Sequence, residues 1–493
     1  MYFLLHLLFV AQLITCKQAP AGTQLHVRLT AAVGSYASKP GTSVNAILIA
    51  PVVVDGETVL PAGTLVTGEL RSVKKVGYGF VHETAALGLD FTRLTLPGGE
   101  ALSMSSRVAN VENGRERVSK DGVIHGIRST SSLCYRTSGY IRTALGWEFH
   151  AALATWFIKA LVVQVPEPEI YYPAGVELTL SLKQPLFVDP HSGTGDSVPR
   201  LARVERVKLR PVVEELPSRA YAFSRPSDLI NVLFIGSREQ ISNAFVAAGW
   251  AQANPPTLRS GITNIRAVVE EHGYLSAPMS SMQVNNAEPD MAWEKGFNDA
   301  SKRDHLRMWK QPGTWHGQDL WVAAATRDID FAYFRHGQRM THRIERDVDQ
   351  ERDKVTGDLA FTACVDAVDS LDRSSVPRAA RNATGDFMTT DGRLAVLRMN
   401  DCESPRSTPT DDDSALPLHG NKIQRIARRE VLSFRNDLLR ENIYYRAYEG
   451  TRWLIEAAIR RHRRHLTEPE YTPAPPLLLE RAQNMGGHAA GSP

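Results

Sequence analysis

At 493 residues, the chain is too long for a single compact core, and two or three domains are expected. With 43% apolar and 23% charged residues it is neither fibrous nor disordered, and a net charge of +3 gives no argument for a specific nucleic-acid partner. Four cysteines are too few for a disulfide framework; Cys134, Cys364 and Cys402 fit no zinc spacing and are expected to be buried or unpaired thiols.

Residues 1–22 read as a signal-like segment, because the first sixteen are nearly all apolar and too few to span a bilayer. Leu13-Ile14-Thr15-Cys16 is close to a lipoprotein cleavage box, which makes Cys16 a candidate lipid-attachment residue. No later stretch reads as a transmembrane helix, since the best rival, Ala144 to Val165, carries Glu148, His150 and Lys159.

Residues 24–188 form an expected β-domain, a small barrel or sandwich, from short Val-, Leu-, Thr- and Ile-rich runs separated by turn residues such as Asp55-Gly56. Leu60-Pro61-Ala62-Gly63-Thr64 returns as Tyr172-Pro173-Ala174-Gly175-Val176, each time ahead of an alternating strand. The repeat predicts one sheet closed by strands far apart in sequence, with a helical, apolar insertion at about 122–165 containing Trp147, Phe149, Trp156 and Phe157. The arrangement resembles a bacterial envelope β-domain whose "P-A-G" strands flank a helical hairpin, although the glycines of that hairpin are largely missing here.

Residues 189–226 are expected to be an interdomain linker, rich in Pro, Gly and alternating charge. A second domain spans 227–399 and begins with a buried-type strand, Leu229 to Ile235, and a Gly236-Ser237 turn. Ser237 and Gln240 make a capping box for the helix that Gly249 closes; a further helix follows from about Leu258 to His272, then a long connection to Lys302. No phosphate-loop or dinucleotide signature is present. Residues 400–420 read as a polar linker, 421–466 as a basic helical segment with twelve Lys and Arg against five Asp and Glu, and 467–493 as a disordered tail.

The chemistry concentrates between Asp304 and Asp353. Alternation on a strand puts His305, Arg307 and Trp309 on one face, and a turn at Pro312-Gly313 would bring Asp328 back beside them to form a hydrogen-bonding surface. His342 then leads into a helix capped by Asp347 with Gln350, whose first turns hold Asp349, Arg352 and Asp353. Two carboxylates at i and i+4 need a cation between them. That cation is either an arginine or a divalent metal held by His342, Asp349 and Asp353, with Asp328 as a further ligand. No HExxH or GxSxG motif offers a stronger alternative, and no other cofactor is implied.

The stretches LFIGS (233–237), AAGW (247–250), HLRMW (305–309) and WVAAATRD (321–328), with His342, Asp347, Asp349, Glu351, Arg352 and Asp353, resemble the C-terminal domain family named for the bacterial secretion-associated protein LssY. The resemblance covers about Ser227 to Asp369, more loosely to Met399, and implies an envelope setting without an established activity. The expected architecture is therefore multidomain, β plus α/β, with the β-domain, an LssY-type mixed α/β domain and a basic helical C-terminal segment. The expected function is that of an exported envelope protein, periplasmic or membrane-associated and non-catalytic. It would bind a polar or anionic ligand, an envelope component or an anionic lipid surface through His305, Arg307, Asp328, His342, Asp349, Arg352 and Asp353. The alternative is a hydrolase acting on an anionic envelope substrate such as a phosphate ester, with His342, His305 or Asp349 as its catalytic candidates.

Overall fold

In a computed structural model of the protein, residues 17–130 (except 56, 80, 81 and 129), 166–189, 198–334, 339–406 and parts of 427–467 are described. Residues 1–16 of the signal-like segment, with Cys16, residues 131–165 of the insertion expected at about 122–165, and the tail from 468 lie outside the described residues; in the described parts of the first two, Lys17–Ala19 and Val123–His125 are strands. The chain divides into two compact units, Met1–Arg435 and Asn436–Pro493.

The first large sheet of the first unit has nine strands: β1 (Gln24–Leu29), β2 (Ser43–Leu48), β3 (Leu65–Lys74), β4 (Ala86–Thr95), β5 (Ala101–Ser103), β6 (Ser106–Val111), β7 (Arg117–Val118), β8 (Val123–His125) and β9 (Glu177–Leu182). They form one sheet in the order β6-β9-β1-β2-β3-β4-β8-β7, with β5 beside β4. The sheet curls back on itself: Ser106 Oγ donates to the Phe91 carbonyl at 3.0 Å and Met104 N to the Thr92 carbonyl at 2.9 Å, giving a nearly closed barrel.

The sequence repeat is a structural repeat. Gly63 N donates to the Leu48 carbonyl at the end of β2, and Gly175 N to the Leu29 carbonyl at the end of β1, both at 2.8 Å. Both glycines have positive φ, 89° and 96°, so the motif is a turn that closes neighbouring strands in the same way. Leu25, Val27 and Leu29 of β1 and Leu178, Leu180 and Leu182 of β9 fill the interior. Strand β9 is buried on both faces; its second face carries Glu177, Thr179 and Ser181.

The second sheet of the unit holds β10 (Val232–Ile235), β11 (Ala251–Gln252), β12 (Met291–Gly296), β13 (Arg303–Trp315), β14 (Gln318–Phe334), β15 (Arg339–Ile344), β16 (Val365–Asp372) and β17 (Arg393–Met399). Their order is β11-β12-β13-β14-β10-β17-β16, with β15 beside β14 and only β10–β17 parallel. Helices α1 (Arg203–Glu215), α2 (Arg238–Ala247), α3 (Leu258–Glu270) and α4 (Val348–Phe361) complete it. On one face α2 and α4 pack on Val232, Phe234, Leu306, Met308 and Leu397; on the other α1 packs on Leu233, Ile235, Trp309 and Val322. The buried alanines Ala323, Ala324 and Ala325 of β14 lie between these two layers.

Four expectations change. Within 189–226, expected to be a linker, lies α1: in the charged run its Leu209 and Val213, four residues apart, make a helical stripe buried on the sheet. The strand expected from Leu229 to Ile235 is interrupted at Asn231, whose side chain accepts from Ala325 N and donates to Ala325 O, both at 2.9 Å. The β13–β14 turn falls at His316-Gly317, both with positive φ, rather than at Pro312-Gly313, where the register shifts by a bulge. Cys364 and Cys402, expected to be unpaired, are joined by a disulfide across 38 residues. The residues after β17 turn back toward the β16 edge and bring the two thiols together; Cys134 lies outside the described residues.

The second unit contains α5 (Ile443–Thr467), 25 residues long. Among the described residues no helix is long and apolar enough to cross a membrane.

Candidate functional site

The middle of the large sheet delivers the candidate residues. Arg303, His305, Arg307 and Trp309 share one face of β13, and in register Asp328 and Thr326 of β14 stand opposite Arg303 and His305. His305 Nε2 lies 2.9 Å from Asp328 Oδ1, and Arg303 donates from Nε to Asp328 Oδ2 and from Nη1 to Glu294 Oε2, both at 2.9 Å. A bulge between Asp328 and Asp330 sets Ile344 opposite Asp328, so His342, two residues earlier on β15, keeps to the same face. Its Nδ1 is 3.5 Å from Asp328 Oδ2, and its ring packs on Phe331 with centroids 4.7 Å apart. His305, Asp328 and His342 are thus gathered around one carboxylate. Arg303 and Glu294 join them, although neither was singled out in the sequence.

Burial alone would raise the Asp328 carboxyl, but His305, His342 and Arg303 outweigh it and hold it well below the usual carboxylate range. Burial pushes the His342 imidazole down against the pull of Asp328, leaving it neutral at neutral pH. Glu294 is pushed up to about 8 by burial, because the Arg303 guanidinium is shared with Asp328.

The expected open surface is instead an interior. His305, Arg307 and Asp328 are only 4%, 3% and 2% exposed. The long connection before Lys302 covers them: Ser280 takes two bonds from the Arg307 guanidinium at 3.1 Å through its carbonyl and hydroxyl, and the Ala287 carbonyl takes one from Trp309 Nε1 at 3.0 Å. Arg307 Nη1 faces Asp228 at 3.8 Å. A hydroxyl does sit beside the histidine, Thr326 Oγ1 at 3.4 Å from His305 Nδ1, which is an acid–base arrangement in form. Thr326 is 1% exposed, so the hydroxyl is closed to a substrate in this structure, and His342 is the member that reaches the surface.

Asp349, Arg352 and Asp353 form a separate cluster at the start of α4. Asp347 caps the helix by accepting from Asp349 N at 3.2 Å. The cation between the two carboxylates is Arg352, 3.0 Å from Asp349 Oδ1, 2.9 Å from Asp353 Oδ1 and 2.7 Å from Asp391 Oδ1. Asp349 also accepts from Thr390 Oγ1 at 2.8 Å and Asp391 N at 2.6 Å. Among the described residues no group of three or more His, Cys, Asp or Glu is placed to hold a metal. The candidate ligand set of His342, Asp349 and Asp353 is therefore not assembled: arginine takes the place considered for a metal.

Sequence reasoning missed a third cluster, on the opposite face of the sheet. Glu177 of the barrel accepts from Lys295 at 2.6 Å, Arg28 at 2.7 Å and Lys354 at 2.8 Å, and both lysines reach Asp358, at 2.8 Å and 2.6 Å. Trp250 Nε1 donates to Asp358 at 3.0 Å. Beside it Arg327 binds Glu112 at 2.7 Å, and Asn113 donates to Asp304 at 2.9 Å. Burial raises Glu177 and Asp358, but the cations around them prevail and leave both below the ordinary carboxylate range. Burial and the neighbouring Asp304 push the Glu351 carboxyl well up. The only sequence signal was the alternation on β13, which sends Asp304 to the side opposite His305.

No curated protein matches the chain. A solved structure described as ComB10 of the Com Type IV secretion system of Helicobacter pylori is similar at 11% identity and a TM-score of 0.20, covering 34% of this chain and 89% of that one. A likeness at that TM-score carries no argument about fold. The family model described as "LssY C-terminus" matches residues 213–394, which span α1's end through the start of β17 and contain the four sheet-borne candidates His305, Arg307, Asp328 and His342.

Proposed function

We propose that the protein is an exported envelope protein whose LssY-type domain, a mixed α/β domain followed by a basic helical appendage, binds a polar or anionic ligand or a partner and does not turn it over. The observation that carries this reading is the closure of its best acid–base group: His305 and Asp328 are buried and bonded to each other, to Arg303 and, through Arg303, to Glu294. A general base must reach the proton it removes, and only His342 stands near the surface. The Cys364–Cys402 disulfide supports the exported setting, because such bonds persist in oxidising compartments.

The test is turnover of phosphomonoesters and phosphodiesters by the purified full chain, with and without Mg²⁺, Mn²⁺ and Zn²⁺, beside His342→Ala. The reading expects no turnover above that of the variant in any condition. Metal-dependent turnover lost in His342→Ala would overturn it in favour of the hydrolase.

A further inference from the structure

The joint between the barrel and the LssY-type sheet is dense with charge, and its ions do not balance. Among the described residues five buried carboxyl groups, Glu112, Glu177, Asp304, Glu351 and Asp358, meet four cations, Arg28, Lys295, Arg327 and Lys354. The next pairs outward cancel: Lys302 lies 3.7 Å from Asp299, and Arg115 lies 3.5 Å from Glu116. His26 stands beside Thr179, the hydroxyl that also bonds Glu112, but burial pushes its imidazole down and disfavours a fifth positive charge. An uncompensated charge taken out of water is costly, and a proton or a bound cation ordinarily relieves it.

The bonding shows where the excess lies. Glu177 and Asp358 are each held by Lys295 and Lys354, and Glu112 accepts from Arg327 at 2.7 Å and from Thr179 Oγ1 at 2.5 Å. Asp304 Oδ2 accepts from Asn113, but its Oδ1 has no hydrogen-bond donor, only Arg327 Nε at 3.5 Å. Glu351 Oε1, in the first turn of α4, has no donor either. Yet the Asp304 and Glu351 carboxyl groups stand within hydrogen-bond reach of each other. Two ionised carboxylates have no hydrogen to share, whereas one proton between them makes a charge-assisted bond.

We propose that Asp304 and Glu351 share one proton inside the joint, which makes the contact between barrel and LssY-type domain a pH-sensitive catch, closed while the proton is held and weakened when it leaves. Burial raises both carboxyls, with Asp304 adding to the effect on Glu351 and Glu112 to that on Asp304, against the pull of Arg327 and Lys354. Because both folded values lie above the ordinary ones, the stability contributed by the pair is complete below those ordinary values and is lost as pH rises through the folded ones. The catch is independent of the binding reading and needs no ligand.

The experiment is infrared difference spectroscopy of the full chain in D2O at about pH 6, where ordinary carboxylates are ionised, together with urea titrations across pH. Glu351→Gln keeps a donor for Asp304 but no titrating proton. Asp304→Asn leaves four carboxylates to four cations and should strip the proton from Glu351. Each variant should therefore lose the carbonyl band of one protonated carboxylic acid relative to wild type. The ratio of the wild-type folding constant to that of Glu351→Gln should fall about tenfold per pH unit above the ordinary glutamate value, until the proton is gone. Thermal melts establish that each variant folds, and either one that does carries the infrared test. An acid band that is unchanged in a folded variant would overturn the proposal, and so would the same pH dependence in wild type and Glu351→Gln. A wild-type melting temperature raised by Mg²⁺ or Ca²⁺, with no such rise in the variants, would place a cation between the carboxylates and overturn it as well.

Discussion

The two faces of strand β13 carry charge to opposite ends. One face sends Arg303 and His305 into a centre closed within its own domain, with Asp328, Glu294 and His342 as partners. The other sends Asp304 and, through neighbouring strands, Lys295 and Arg327 across to the barrel residues Asn113, Glu177 and Glu112. Alternation alone delivers ionisable groups to both faces; what covers each face decides what they do. The first face resembles a site and is sealed by residues 277–287, whereas the second fastens two sheets into one unit.

The largest break in this comparison is Glu177→Ala, which leaves Arg28, Lys295 and Lys354 sharing the Asp358 carboxylate in a buried setting. It should lower the unfolding free energy by about 3–5 kcal/mol in urea titrations; a loss under about 1 kcal/mol would make the joint incidental. Replacing Cys364 and Cys402 by Ala opens a loop of 38 residues and should cost about 3–4 kcal/mol by the same measurement. On the sealed face, Asp328→Asn keeps a hydrogen-bond acceptor for His305, so its cost should be smaller, about 2–3 kcal/mol. Its sharper readout is the His342 imidazole followed by NMR: losing the Asp328 charge should lower a pKa that burial has already depressed.

Acidity acts on these carboxyl groups with opposite signs. Glu177, Asp358 and Asp328 have folded pKa values below their ordinary ones, so the stability they contribute is present above about pH 4 and is lost as pH falls through the folded values. Glu294 is shifted the other way: its contribution is complete below its ordinary value of 4.5 and is lost as pH rises through about 8. Glu294→Gln should match wild type near pH 4 and become the more stable toward pH 8, read as a difference in urea midpoint.

Local chemistry made much of the fold legible in the sequence. Ser237 Oγ accepts from Gln240 N and Gln240 Oε1 accepts in return from Ser237 N, as the capping box requires. The Pro-Ala-Gly repeat marks two equivalent turns in a nearly closed barrel, and alternation on β13 placed His305 and Arg307 on one face. The rest depended on chain closure over distance. Glu177 finds Arg28 across 149 residues and Lys295 across 118, and no local pattern announces such pairs. Burial of the His305–Asp328 centre was illegible for the same reason, since the segment around Ser280 that covers it carries no regular period. Arg352 was visible beside Asp349 and Asp353, but Asp391, its bidentate partner, is 39 residues away.

Hydrogen exchange read by mass spectrometry on the full-length wild type and Glu177→Ala tests most directly whether the second face joins two sheets into one cooperative unit. Peptides from β1 and β9 of the barrel and from β13 and β14 of the LssY-type domain should lose protection together, by a similar factor, in the variant. Protection lost in one sheet and kept in the other would contradict the account.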